Sequence, residues 1–309
     1  MTSILQKVPR MGVSKEFVDS YLDIYGQTLN NGFKSVQTLV GNIDIKDIMQ
    51  SRRFLEIHPE LYTCFHGNVT YNLAGSAKGS ADVDFNRKLS SVKSGILREL
   101  DVSTAIGNEL ILHIGNFPDK NKGMSLISNT LNELLILENV DTVSFSRRTE
   151  VPLIDFKSKR KIVLENSAGL GNSIGKSLEE ISIVLSLINP NLRNNVNVCI
   201  DTCHISDAGE YDLGKITEVD RFYSDFSQII GLPRLHLFHL NDSKFVFGSR
   251  RDRHEHLGDG HIFKDKEGLL SLQKFIKLST DLEIPMVGEY SNGEKDIALV
   301  NSLASQKYQ

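Results

Sequence analysis

The sequence predicts an α/β fold: one (β/α)8 TIM barrel in a single domain over residues 1–309. Three observations predict it. Short runs rich in Val, Ile, Leu and Phe recur along the chain and read as buried strands. Longer stretches with apolar residues at helical spacing separate them. The alternation repeats eight times, which implies a parallel sheet closed into a barrel rather than left open.

The elements follow in order. The first strand, MGVS at 11–14, is the weakest, and a helix over 15–32 follows it. Strands KSVQTLV at 34–40 and ELYTCFH at 60–66 bracket a helix over 44–57. A helix over 83–106 leads to strand ELILHI at 109–114, and one over 122–139 leads towards strand RKIVLE at 160–165. In SLEEISIVLSLI, 177–188, Leu178, Ile181, Leu185 and Ile188 form one apolar stripe, the mark of an amphipathic helix. Strands VNVCID at 196–201, RLHLFHL at 234–240 and PMVGEY at 285–290 complete the set, with helices over 214–230, 267–279 and 292–305. No fixed-period repeat, low-complexity tract or Pro/Gly/Ser linker interrupts them.

Composition narrows the function. Hydrophobic residues make up 40% and charged residues 24%, an ordinary globular balance. The net charge of −4 excludes a global basic field, so any grip on phosphates needs a local basic patch or bound cations. Cys64, Cys199 and Cys203 are too few and too odd for a disulfide framework and point to a reducing intracellular compartment, cytoplasm or nucleus. The N-terminal stretch lacks the apolar core of a signal peptide. No apolar run approaches the roughly 20 residues that cross a bilayer, so no membrane partner is expected.

The Gly-rich stretch VLENSAGLGNSIGKS has its glycines at 169, 171 and 175, a G-x-G-x-x-x-G spacing that departs from the dinucleotide fingerprint. It reads as a loop that needs small residues, or as a place where backbone approaches a phosphodiester.

The strand ends carry the chemical signal. Six consecutive strands end in a histidine or a carboxylate: His66, His113, Glu165, Asp201, His239 and Glu289. One histidine at a strand end is usually a core residue. Six polar ends in register converge on one barrel mouth. Such a concavity is costly unless cations neutralise the acids and use the imidazole lone pairs. Two loops add ligands: DTCH supplies His204 three residues after Asp201, and DRH supplies Asp252 and His254, whose i, i+2 spacing on extended backbone aims both one way. The tally is five histidines and four carboxylates. A mononuclear site needs three or four; nine, with one carboxylate shared, fit three metals. His and carboxylate donors suit zinc or manganese. Cys203 lies among these ligands but is not needed. His58, His236, His256, His261, Cys64 and Cys199 are read as structural or surface groups.

The stretch FGSRRDRHEHLGDGH, 247–261, is by composition a solvated charge run. Its place after the seventh strand adds metal ligation by Asp252 and His254 and phosphate contact by Arg250, Arg251 and Arg253, with Lys244 nearby.

The segments HGNVTYNLAGS, LILHIGN, LENSAGLGN, VCIDTCHISDAGEYDL, FHLNDSKFVFGSRRDRHEHLGDGHI and MVGEYSN resemble endonuclease IV, the family-2 apurinic/apyrimidinic endonucleases, across residues 66–292. The resemblance implies a trinuclear zinc site. His66 and His113 hold one ion; Asp201, His239 and Glu289 hold a second; Glu165 bridges the two; His204, Asp252 and His254 hold the third. Manganese at one position stays open. It also implies a catalytic role for Glu165, a substrate of duplex DNA containing abasic sites, incision 5′ of the lesion by base excision repair, and a monomer. Asn68 and Tyr71 are further expected DNA contacts. Two departures stand out. Val69 occupies a position that is aromatic in bacterial members, and the loop VGNIDIK offers no early arginine. The chain therefore reads as a divergent member, cellular or viral, with a virion as a further location in the latter case. A sugar isomerase or epimerase of the xylose-isomerase-like barrels is the alternative. It needs one or two metals and no third ligand loop. A non-enzymatic barrel predicts broken ligand sets, and none is broken here.

Overall fold

The structure is a computed structural model that describes residues 8–15, 20–41, 45–75, 82–136, 160–290 and 293–306. Its barrel strands are β1 (Met11–Lys15), β2 (Ser35–Leu39), β3 (Tyr62–His66), β4 (Leu110–His113), β5 (Ile162–Glu165), β6 (Val196–Asp201), β7 (Leu235–His239) and β10 (Met286–Gly288). They close in the order β1-β10-β7-β6-β5-β4-β3-β2, every neighbouring pair parallel. The expected eight-stranded parallel barrel is what the chain forms. Around it lie α1 (Tyr21–Asn30), α2 (Ile45–Ile57), α3 (Asp82–Ile106), α4 (Lys120–Ile136), α5 (Leu178–Leu187), α7 (Ile216–Ile229), α8 (Lys266–Asp281) and α9 (Glu294–Ser305).

Local chemistry sets the helix starts. Ser177 caps α5 by accepting a hydrogen bond from Glu180 N–H, and Glu180 Oε2 accepts from the Gly175 and Lys176 N–H groups just before the cap. Asp265 caps α8 through Gly268 N–H. The loop before α5 turns on Gly169 and Gly175, with φ of 79° and 88°; a Cβ on Gly175 would also strike Ile114. Small residues there are a backbone requirement.

The barrel interior is layered. Cys64, Ile111, Val163, Cys199, Leu237 and Val287 form one buried apolar layer. Strand side chains alternate with period two, so the residue two positions on from each faces the same interior. Those residues are His66, His113, Glu165, Asp201, His239 and Glu289. The apolar layer is therefore a floor beneath a polar mouth. Outside the barrel, Phe222 and Tyr223 of α7 pack on Phe238 of β7 and Phe275 of α8, with Phe226 against Phe222 and the Phe238 and Phe275 centroids 4.6 Å apart.

Several boundaries differ from those expected. The eighth barrel strand ends at Gly288, which leaves Glu289 one residue beyond it. The expected helices over 15–32, 44–57, 122–139 and 292–305 are seen as α1, α2, α4 and α9; residues 16–19, 44, 137–139 and 292 lie outside the described residues. Two short features were not anticipated. Helix α6 (Thr202–Asp207) starts on Asp201, whose side chain accepts from the Cys203 and His204 N–H groups at 2.7 and 3.0 Å. An antiparallel ribbon joins β8 (Asp242–Ser243) to β9 (His254–Glu255). Both are too short for periodicity to reveal. Among the described residues, no helix is long and apolar enough to cross a membrane.

Phe222, fully buried in the aromatic cluster, gives a stability prediction. Phe222→Ala should cost about 3–5 kcal/mol, read as a shift in the urea midpoint with an unchanged m-value. A loss under about 1 kcal/mol would show that the cluster does not anchor α7.

Candidate metal centre

Glu165 occupies the centre of the mouth, 1% exposed. Its Oε2 lies 3.0 Å from His66 Nε2 and 3.2 Å from His113 Nε2. Its Oε1 lies 3.0 Å from His239 Nδ1 and 3.3 Å from His204 Nδ1. His239 Nδ1 is also 3.2 Å from Glu289 Oε2. On the far side, His204 Nε2 lies 3.2 Å from Asp252 Oδ1, and His254 Nε2 lies 3.3 Å from Asp201 Oδ2 and 3.4 Å from Asp252 Oδ1. All nine residues singled out from the sequence thus meet in one concavity.

They divide into overlapping sets whose potential ligand atoms lie within 4.8 Å of one another: His66, His113 and Glu165; Glu165, Asp201, His239 and Glu289; His204, Asp252 and His254. A fourth set joins Cys203 to Asp201 and His254. Cys203 has other ties: its Sγ donates to Asp207 Oδ2 at 3.6 Å, and burial with Asp201 and Asp207 nearby pushes the thiol up, so it stays protonated.

The donor atoms fit cations. Nε2 of His204 and of His254 are buried without a hydrogen-bond partner among the described residues, although carboxylate oxygens stand beside them. Buried polar atoms are rarely left so. Ring nitrogens aimed past their neighbours into a shared space suit an ion that both groups can reach. In His66, His204 and His239 one ring nitrogen is held by a hydrogen-bond partner, which orients the ring. His66 Nδ1 meets Gly67 O at 2.7 Å, His204 Nδ1 meets Asn166 O at 3.0 Å, and His239 Nε2 meets Gln37 Oε1 at 2.8 Å.

Charge is strongly coupled. Burial opposes ionisation of Glu165, but His113 and His239 outweigh it and hold its carboxyl well below the usual range. Asp201 is held low in the same way by His204 and His254. His254, despite burial, is raised to about 9 by Asp201.

Three supporting residues were not legible in the sequence. Gln37 Nε2 donates to Glu289 Oε1 at 2.7 Å while its Oε1 meets His239, so one amide orients two candidate ligands. Asn241 Nδ2 donates to Asp201 Oδ2 at 2.8 Å, and its Oδ1 accepts from Glu289 N–H. Asn166 Oδ1 accepts from Asp201 N–H at 2.6 Å. The available signal was parity: Gln37 is a polar residue inside an apolar strand.

The expected DNA contacts sit apart from the buried set. Arg250, Arg251, Arg253 and Lys244 are exposed, and none pairs with a carboxylate among the described residues; Arg251 lies over the Phe245 ring, 4.7 Å from its centroid. Asn68 is exposed beyond β3, its Oδ1 accepting from Thr70. Tyr71 instead turns inward and donates to Glu99 Oε1 at 2.8 Å, bracing the loop from below. The histidines read as structural have other partners: His256 meets Asp296, His236 meets Glu109, His58 meets Glu60, and His261 meets Lys264.

The fold and the ring of strand-end donors define a class, the xylose isomerase-like TIM barrels, and the family model of that description matches residues 66–277. The probable endonuclease 4 of Geobacillus kaustophilus (strain HTA426) is 30% identical over 285 residues, 90% of this chain and 81% of that protein. The chain belongs to the endonuclease 4 family. The probable endonuclease 4 of Clostridium botulinum (strain Alaska E43 / Type E3) is 38% identical over 143 residues, 46% of this chain, and the match spans only about half, 49%, of that relative's length. Among solved structures, endonuclease IV from Thermus thermophilus matches with a TM-score of 0.69 at 20% identity over 94% of this chain and 95% of that one, a likeness of fold.

The His254 shift makes a pH prediction for metal-free protein. A histidine raised on folding stabilises fully below its unfolded value near 6.5, and that contribution is lost as pH rises through about 9. Thermal melts in chelator should therefore fall over this window, and His254→Ala should flatten the fall. A melting temperature that climbs over the same range would contradict the assignment. Gln37→Leu should weaken divalent-metal binding about 10–100-fold, measured by chelator competition. Unchanged affinity would remove Gln37 from the site's support.

Proposed function

We propose that this chain is a zinc-dependent apurinic/apyrimidinic endonuclease of base excision repair, hydrolysing the phosphodiester 5′ of an abasic site in duplex DNA. The products are a 3′-hydroxyl and a 5′-deoxyribose phosphate. The single observation that carries the proposal is the gathering of nine donor residues into three neighbouring sets, two of which share Glu165. Family membership supports the reaction class.

In this reading His66 and His113 would hold one ion, Asp201, His239 and Glu289 a second, and His204, Asp252 and His254 a third, with Glu165 within reach of the first two sets. The donor set suits three Zn2+, with Mn2+ open at one position. Bound ions of this kind neutralise phosphate charge, polarise the phosphoryl oxygens and make a water nucleophilic near neutral pH. The protein's own part is positioning. Gln37, Asn241 and Asn166 fix the ligand orientations, and the apolar floor closes the mouth from below. Arg250, Arg251, Arg253 and Lys244 contact backbone phosphates, and Asn68 and Tyr71 meet the DNA from the loop after β3. A nucleotide without its base has little stacking to lose, so extruding it into the mouth is cheap and selective. We infer a single domain over 1–309, action as a monomer, and a reducing intracellular compartment that suits three free, buried thiols.

The decisive assay is a duplex oligonucleotide carrying one tetrahydrofuran abasic analogue. Zinc-loaded protein should incise 5′ of it without a lyase product and hold close to three zincs per chain by elemental analysis. No incision with zinc loaded, or one zinc or fewer, would sink the reading and favour the sugar enzyme. Glu165→Gln should abolish incision while leaving the fold intact. Replacing Arg250, Arg251 and Arg253 with alanine should weaken DNA binding and lower the salt slope by about 0.9 per lost phosphate contact. An unchanged slope would take these arginines off the phosphates.

A further inference from the structure

Two of the three ligand sets stand on or beside barrel strand ends. The third does not. Asp252 arrives on a loop, residues 244–253, and His254 opens the two-residue strand β9 that follows it. A hydrogen bond from Lys244 N–H to Arg253 O, 3.0 Å, closes its base. Its far end is fastened to α6: Gly248 N–H donates to Ser206 O at 3.0 Å, and Arg250 N–H donates to Asp207 O at 2.8 Å. Arg250 holds a φ of 55° there, a left-handed conformation that needs outside support.

Beneath this junction lies the fully buried carboxylate of Asp207. Ser243 Oγ donates to it, 2.9 Å from Oδ1 and 3.1 Å from Oδ2, and Cys203 Sγ and the Ser249 hydroxyl also donate. Ser243 Oγ in turn accepts from Phe245 N–H at 3.0 Å. One side chain therefore links α6, β8 and, through Ser243 and Ser249, the start and the middle of the loop. Burial pushes its carboxyl up to about 6, while the hydrogen bonds from Ser243, Ser249 and Cys203 favour the ionised form. Nothing in the chemistry above uses this residue. His204 and Asp207 are three apart on the same short helix, so the ligand and the fastening move as one body.

We propose that Asp207 is a positioning residue for the third ligand set, holding loop 244–253 on α6 so that Asp252 and His254 meet His204. The inference rests on the metal reading of these residues and deepens it.

Zinc titration of the metal-free full chain against a chromophoric chelator tests it. The unsubstituted chain should bind three zincs. Asp207→Ala should keep two with unchanged affinity and weaken the third about 10–100-fold. Asp207→Asn keeps an acceptor for Ser243 and should recover part of that loss. Ser249→Ala, which is milder for folding, should weaken the same ion to a smaller degree. Three unchanged affinities in Asp207→Ala, or parallel loss of all three with a lower melting temperature, would overturn the proposal; so would an Asn variant as weak as the Ala variant. Fewer than three zincs on the unsubstituted chain would overturn the ligand reading itself, which is a separate result.

Discussion

Four imidazoles around one buried carboxylate hold this molecule's chemistry together. Glu165 touches His66, His113, His204 and His239 at 3.0 to 3.3 Å. A lone carboxylate at that depth would be too costly to keep ionised. Its neighbours reverse the balance, and that coupling forces the architecture. The histidines come from β3, β4, β7 and α6, so the strands must end level with one another. A slip of one residue in any strand would turn its ligand away from the interior. The apolar layer two residues below each strand-end group makes such a slip expensive, because it would turn a buried Ile, Val, Leu or Cys outward at the same time.

The mouth is thus built to two standards of rigidity. The strand-end groups inherit the precision of the barrel ladder and are braced by amides. Gln37 spans His239 and Glu289, and Asn241 spans Asp201 and Glu289. The third set is assembled from a six-residue helix and a loop. Its geometry depends on hydrogen bonds between those two pieces rather than on the sheet. The looser set lies where the exposed arginines begin.

The strand-end donors that meet at the mouth were legible because each obeys a local rule: a polar residue ends an apolar run, with its parity fixed by the strand. The barrel was legible for a similar reason, since its alternation is written in stretches long enough to show a period. The amide braces were not. Gln37 and His239 are 202 residues apart, and an amide carries no charge to mark it. Helix α6 and the β8–β9 ribbon are shorter than any period that could reveal them. The bond from Tyr71 to Glu99 of α3 was out of reach for the same reason, because spacing alone could not pair the two residues.

The charged run FGSRRDRHEHLGDGH shows how one segment serves two surroundings. Arg251 and Arg253 are exposed, while Asp252 and His254 alternate with them and turn towards His204. Extended backbone gives this division without further apparatus, because successive side chains point to opposite sides. The acids and imidazoles that favour cations face the mouth. The guanidinium groups, unpaired with any carboxylate among the described residues, face out. In a chain of net charge −4, attraction for a polyanion has to be local, and this is a place where positive side chains and a cation-seeking cluster stand back to back. Composition records only that the segment is charged. The alternation decides which charges are engaged inside and which remain available outside.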